Sequence, residues 1–224
     1  MTDANRVSFP MSRMRQIPAL FLCFILISGC SIFGIRSEYE QPDYEVVEQL
    51  GELIEIRSYD PRTAAEATVD GEDIVQGRNA AFRLLFDYIS GANQINTNIS
   101  MTTPVESADK SEVIAMSSPV ETSQTDESRV SMRFFLPSTY DRETAPKPRD
   151  ARVRIISIPA QTVAALRFSG LGSEEVIAAK KKQLLNALPS ASWTPASKPT
   201  VYFYDPPWTI PYFRRNEVVV PVVR

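Results

Sequence analysis

One order of elements occurs twice along this chain, and that repetition limits its fold more than any other feature. Residues 44–57 (YEVVEQLGELIEIR) alternate apolar and charged side chains on both sides of Gly51, as half-buried strands do. Residues 64–69 give a second strand. Asp73 caps a helix to about Ile89, with Phe82, Leu85, Phe86 and Ile89 as an i, i+3, i+4, i+7 stripe, and Gly91 and Asn93 end it. Strands are expected at 113–116 and 130–135, with 117–129 as a polar loop. After a Pro-rich connector (138–150) the order returns: strands at 153–158 and 162–168, then a helix from Ser173 through Leu188 bearing Val176, Ile177, Leu184 and Leu188. Strands at 200–204 and 217–223 close it. The two strand–strand–helix–strand–strand halves share order and period but little residue identity. Neither half buries enough surface to be secure alone. The expected fold class is therefore α+β, one domain in which two halves share a sheet curled around a core with both helices packed on it. Pro221 cannot donate to a ladder, so the last strand is expected at an edge or bulge.

The N-terminus has a different character. Residues 17–28 (IPALFLCFILIS) are almost wholly apolar, follow Arg13 and Arg15, and stop at Ile27-Ser28-Gly29-Cys30. A spanning helix needs roughly 20 such residues, whereas a secretory h-region needs about a dozen. The stop resembles the bacterial lipobox, which implies that Cys30 is lipidated and becomes the first mature residue. The expected organisation is a lipoprotein signal peptide over 1–29, the lipidated cysteine and a tether over 30–43, and a folded domain over 44–224. Ser31, rather than Asp, follows the cysteine; in Gram-negative lipoproteins that implies delivery to the outer membrane, facing the periplasm. Cys23 leaves with the signal, so no free thiol remains, which suits an oxidising compartment.

The missing residue types exclude most chemistry. The chain contains no histidine and only the two cysteines of the leader. This removes Ser-His-Asp and Cys-His triads, HExxH zinc sites, His-ligated haem and Cys-based metal clusters. A formal net charge of −3 offers no basic field for a polyanion, so nucleic acid is not an expected partner. No paired constellation at catalytic spacing is present, and no enzymatic activity is expected.

Four stretches carry a family signature: YEVV with IEIRSY (44–47, 54–59); FRLLFDYISGAN with ISMTTPV (82–93, 99–105); MSSPV with FFLP (116–120, 134–137); and YDPPWT with RRNEV (204–209, 214–218). Together, in this order, they resemble the SOUL haem-binding protein family. The resemblance implies a duplicated α+β fold, a distorted antiparallel β-barrel flanked by two helices, similar to the ligand-binding domains of multidrug-responsive regulators that hold flat aromatic cations. It also implies reversible binding of haem or another tetrapyrrole, with no permanently bound cofactor. Some family members use a histidine as axial ligand. This chain has none, so binding through an apolar cleft is the route left to it.

A porphyrin needs an apolar slot with cations or backbone donors at its mouth. Phe82, Leu85, Phe86 and Ile89 can line such a slot with Met101 and Met116, or simply fill a core. The aromatic cluster that includes Tyr202 and Trp208 is either a stacking wall or a plug at the barrel's end. Arg214, Arg215 and Glu217 are candidate charge contacts for a ligand. Alternatively they form an Arg–carboxylate tie involving Glu45 or Glu55. Lys180, Lys181 and Lys182 read as a solvated face or a contact for anionic headgroups. The expected protein is a monomeric, membrane-tethered binding module for haem or a related flat ligand. The alternative is a structural or interaction lipoprotein that has lost the tetrapyrrole.

Overall fold

The computed structural model describes residues 39–70, 73–95, 111–126 and 129–224. The chain enters as a hairpin, β1 (Tyr44–Leu50) and β2 (Ile54–Tyr59), turning at Gly51, whose φ of +73° suits a residue without a Cβ. Next come β3 (Arg62–Asp70) and α1 (Ile74–Ile89). The Asp73 carboxylate accepts the Val75 N–H at 3.0 Å and so caps α1 as expected. Two-residue strands β4 (Asn93–Gln94) and β7 (Lys147–Pro148) pair as a ribbon within the connector region. Between them lie β5 (Val120–Asp126) and β6 (Arg129–Phe135). The second half runs β8 (Val153–Ile158), β9 (Gln161–Phe168), α2 (Glu174–Ala187), the short β10 (Thr194–Pro195), β11 (Thr200–Phe203) and β12 (Asn216–Val223).

The long strands form one antiparallel sheet in the order β1-β2-β9-β12-β11-β5-β6-β3-β8, strongly curled into a half-barrel. The sequence repeat becomes a pseudo-two-fold here. From the central pair β11–β5, equivalent strands follow outward on each side: β12 and β6, then β9 and β3, then β2 and β8. The first strand of each half thus pairs with the other half: β2 lies on β9, and β8 on β3. The convex face is covered by the helices. α2 buries Ile177 and Leu184 against Ile56, Leu166, Val218 and Val220, and α1 buries Ala81, Leu85, Tyr88 and Ile89 against Ala65, Met132 and Phe134. Gly77 lets α1 approach closely, since a Cβ there would meet Val130 Cγ2 at 3.0 Å.

Four expectations are corrected. Residues 113–116 form no strand. Ile114 is buried beneath the end of α1, its N–H donating to Ile89 O at 2.8 Å, and the Asn93 amide ties Tyr88 O and Glu112 O nearby. The strand lies instead in the supposed loop, as β5, whose polar residues are paired on both sides by β11 and β6. Pro221 sits in β12, an interior strand. It faces the gap between the end of the β11 ladder and β10, where its carbonyl accepts the Ala196 N–H at 2.8 Å. N–H and C=O of one residue point the same way in an antiparallel strand, so the missing donor falls in that gap. The helical stripe also splits: Leu85 and Ile89 are buried, whereas Phe82 and Phe86 stand at the rim.

Leu85→Ala is expected to cost about 2–5 kcal/mol by opening a cavity. Phe86→Ala, which empties a half-exposed position, is expected to cost only about 1 kcal/mol. Urea denaturation of the two variants checks the contrast.

Candidate functional site

The concave face of the sheet carries charge where an apolar ligand would need none. One cross-strand row runs Arg167, Glu217, Tyr202, Glu121, Arg133, Glu66 and Arg154 over seven adjacent strands. Arg133 bonds Glu66 at 2.8 Å and Glu121 at 3.0 Å, and Arg154 bonds Glu66 at 2.8 Å. Glu217 is 0% exposed. Arg57 grips it through both terminal nitrogens at 2.7 and 3.0 Å, Arg215 bonds Oε1 at 2.7 and 2.9 Å, and the Tyr204 hydroxyl donates to Oε2 at 2.8 Å. Burial pushes the Glu217 carboxyl up, but the Arg57 and Arg215 guanidiniums outweigh it and hold it below the ordinary range. Burial of Glu121 wins over Arg133 and Arg62, so that carboxyl is raised.

These contacts place several of the expected site residues. Arg215 and Glu217 neutralise each other within the inner face, while Arg57, not Arg215, reaches Glu55, at 2.8 Å. Tyr202 is buried, edge-on to Phe135 with centroids 5.7 Å apart, and walls no slot. Arg62 lies over the Tyr59 ring at 4.1 Å, adding to the filling.

The convex face differs. α1 covers β6 and β3, and α2 covers β12 and β9, leaving the central pair β11–β5 between the helices. Arg78, Phe82 and Phe86 follow one another at i, i+4 and i+8 along one flank of α1. Phe82 is 37% and Phe86 47% exposed. Their rings stack at 6.0 Å and 14°, and Phe82 meets Phe134 edge-on at 5.4 Å. Arg78 reaches Glu174, the first residue of α2, at 2.6 Å. Lys181 shares this surrounding: burial lowers its pKa, Glu174 opposes and Arg78 adds to the shift. The lysine run is therefore not a uniformly solvated face. Phe203, at the end of β11, lies so near Gly172 that a Cβ there would be 3.0 Å from its ring.

The expected slot residues thus fall in three places. Phe82 and Phe86 line the groove between the helices. Leu85 and Ile89 lie beneath α1, with Met116 packed against the same core. Trp208 and Arg214 belong to the loop 204–215, where Arg214 turns inward to Thr209 O at 2.8 Å instead of facing a ligand. Cys30 and Met101 lie outside the described residues. Sequence reading missed Arg78, although it stands one turn before Phe82 on the same stripe. A separate cavity of about 420 Å³ beside the β2–β3 turn is lined by Glu40, Asp43, Asp60 and Asp141 and also by Phe135, Leu136 and Arg62, whose buried guanidinium has no hydrogen-bond partner among the described residues.

The family described as SOUL heme-binding protein matches residues 39–221. The chain belongs to that family. Among curated relatives of this SOUL protein, Heme-binding protein 1 of Xenopus tropicalis is 28% identical over 193 residues, covering 84% of this chain and 93% of the relative. Among solved structures, the C-terminal domain of EcmrR superposes with a TM-score of 0.53 at 11% identity, covering 81% of this chain and 98% of that one. That likeness is one of fold alone. A hydrolase from Listeria innocua superposes at 0.48 with 12% identity, covering 84% and 94%.

Removing the Glu217 charge leaves two guanidiniums buried without it, so Glu217→Gln is expected to lose about 3–5 kcal/mol. A carboxyl depressed on folding contributes stability that is present above its unfolded value, about 4.3, and is lost as pH falls through the folded value. Urea midpoints measured from neutral to acid pH should therefore fall less steeply in Glu217→Gln than in the wild type below about pH 4.

Proposed function

We propose that this protein binds haem or a related flat tetrapyrrole reversibly and without catalysis, in the groove between α1 and α2. The observation that carries the reading is the exposed, stacked Phe82–Phe86 pair in line with Arg78, in a chain of the SOUL family. A ring laid on the phenylalanines has Lys181 and Arg78 within the same groove for its two propionates, with Arg78 exchanging its Glu174 partner for one of them. Burying a few hundred Å² of macrocycle at roughly 25 cal/mol per Å² gives several kcal/mol before the cost of association, a level suited to micromolar, exchangeable binding. With no histidine in the chain, ring contact and not iron ligation is the main source of affinity.

Hemin and iron-free protoporphyrin are expected to bind within about tenfold of each other, a gap of about 1.4 kcal/mol. Phe82→Ala and Phe86→Ala should weaken both together, while Met116→Leu should change neither. Arg78→Met with Lys181→Met should weaken protoporphyrin two- to fivefold, as roughly 0.4–1 kcal/mol of half-exposed pairing is lost, and leave its dimethyl ester unaffected. Absorbance and fluorescence titrations read all of these. Only nonspecific, albumin-competable binding would favour the alternative, a structural lipoprotein that keeps the fold without the ligand, a reading the absent histidine supports.

The same proposal includes a setting: a lipid anchor at Cys30 in the bacterial outer membrane, the domain facing the periplasm, and a role in haem buffering or transfer. The apolar run ending Ser28-Gly29-Cys30 supports it. Labelled fatty acid should appear on the wild-type chain and vanish in Cys30→Ser. Persistent label in that variant would count against the anchor.

A further inference from the structure

The loop 204–215 between β11 and β12 carries a second apolar surface, which the haem groove does not use. Trp208 is 66% and Tyr212 81% exposed, Ile210 is exposed beside them, and Leu171 is exposed on the adjoining turn. Part of the backbone of this loop is paired internally. Pro206 O accepts from Thr209 N–H at 3.1 Å, and Ile210 O from Phe213 N–H at 2.9 Å. Pro211 O accepts from both Gly170 N–H at 3.0 Å and Arg214 N–H at 3.1 Å. The Arg214 guanidinium turns inward to Pro207 O and Thr209 O. Prolines 206, 207 and 211 have no N–H to satisfy. Trp and Tyr are the side chains favoured at the boundary between lipid and water.

The chain's N-terminal lead-in reaches the same end of the sheet. Glu40 O accepts Ser118 N–H at 3.0 Å, and Val120, two residues further on, pairs with Phe203, where the loop departs. Cys30 lies only nine residues before Tyr39. Fully extended, nine residues span about 30 Å, so the anchor stays within reach of this end.

We propose that Trp208, Ile210 and Tyr212, with Leu171 beside them, seat in the headgroup layer of the bilayer to which the chain is tethered, fixing the face that the domain presents to the membrane. The inference rests on the anchoring reading above. The surface lies at the end of the sheet where the described chain begins, which favours the bilayer over a second copy.

The full-length chain carries its own probe. Of its two tryptophans, Trp193 is buried and bonded through its ring N–H to Glu48, so Trp208 reports on the loop, with Trp208→Phe giving the background. The chain is reconstituted into vesicles of phosphatidylethanolamine and phosphatidylglycerol, with or without brominated acyl chains. Brominated lipid is expected to quench Trp208 by about half, as insertion 5–10 Å deep places it near the acyl boundary, and aqueous iodide should lose access. Ile210→Ser with Tyr212→Ser should relieve the quenching while leaving recovery with vesicles unchanged. Equal emission in both lipids with iodide still quenching would overturn the proposal. So would a lipid-free change in Trp208 emission that depends on protein concentration, or protection from iodide by protoporphyrin, since the tip would then belong to a second copy or to the haem site. Fatty-acid labelling of Cys30→Ser separates the two readings. Label lost with Trp208 unquenched in the wild type leaves the anchor standing and removes the loop; label retained with Trp208 quenched does the reverse.

Discussion

The buried carboxylate of Glu217 is the contact on which the site's placement depends. Arg57 comes to it from 160 positions away in sequence, on the opposite side of β9, and Arg215 and Tyr204 come from the two ends of the aromatic loop. One anion therefore joins the first hairpin, the last strand and the loop. Its partners also occupy the volume inside the curl. The half-barrel is filled by guanidiniums, carboxylates and phenols, most of them paired with one another, beside an apolar cluster that includes Phe135, Val163 and Val219; Arg62 lies over the Tyr59 and Phe135 rings without a hydrogen-bond partner among the described residues. The convex side, where the helices leave β11–β5 between them, carries the exposed Phe82–Phe86 pair.

Local patterns made much of the architecture legible. Asp73, Gly51 and the alternation of residues 153–158 each act on neighbours a few positions away, and each appears where the pattern placed it. β5 was not legible because its core-facing residue is Glu121, whose burial is offset only by Arg133 on the next strand. Residues 113–116 misled for the opposite reason: their apolar character serves the end of a helix rather than a ladder. Pro221 follows the same logic, its missing donor being harmless only because β11 and β10 leave a gap beside it.

The site was less legible than the fold. Phe82 and Phe86 are separable from Leu85 and Ile89 only once the direction of α1 against β6 is known, since all four lie on one broad apolar arc. Arg78 and Lys181 acquire meaning through their approach across the two helices, a distance that no spacing in the sequence encodes. Glu217 was visible as a charge in an apolar strand, but its neutralisation by Arg57 is a tertiary fact.

The central position of β12 has a consequence for how the chain can assemble. Residues 216–223 lie between β9 and β11 and follow every strand they join, and β2 finds its partner β9 only a hundred residues later. A growing chain therefore has no complete sheet to close, and either half released by itself would expose the seam that the other half's first strand covers. Such a polypeptide cannot complete its sheet until its final strand arrives.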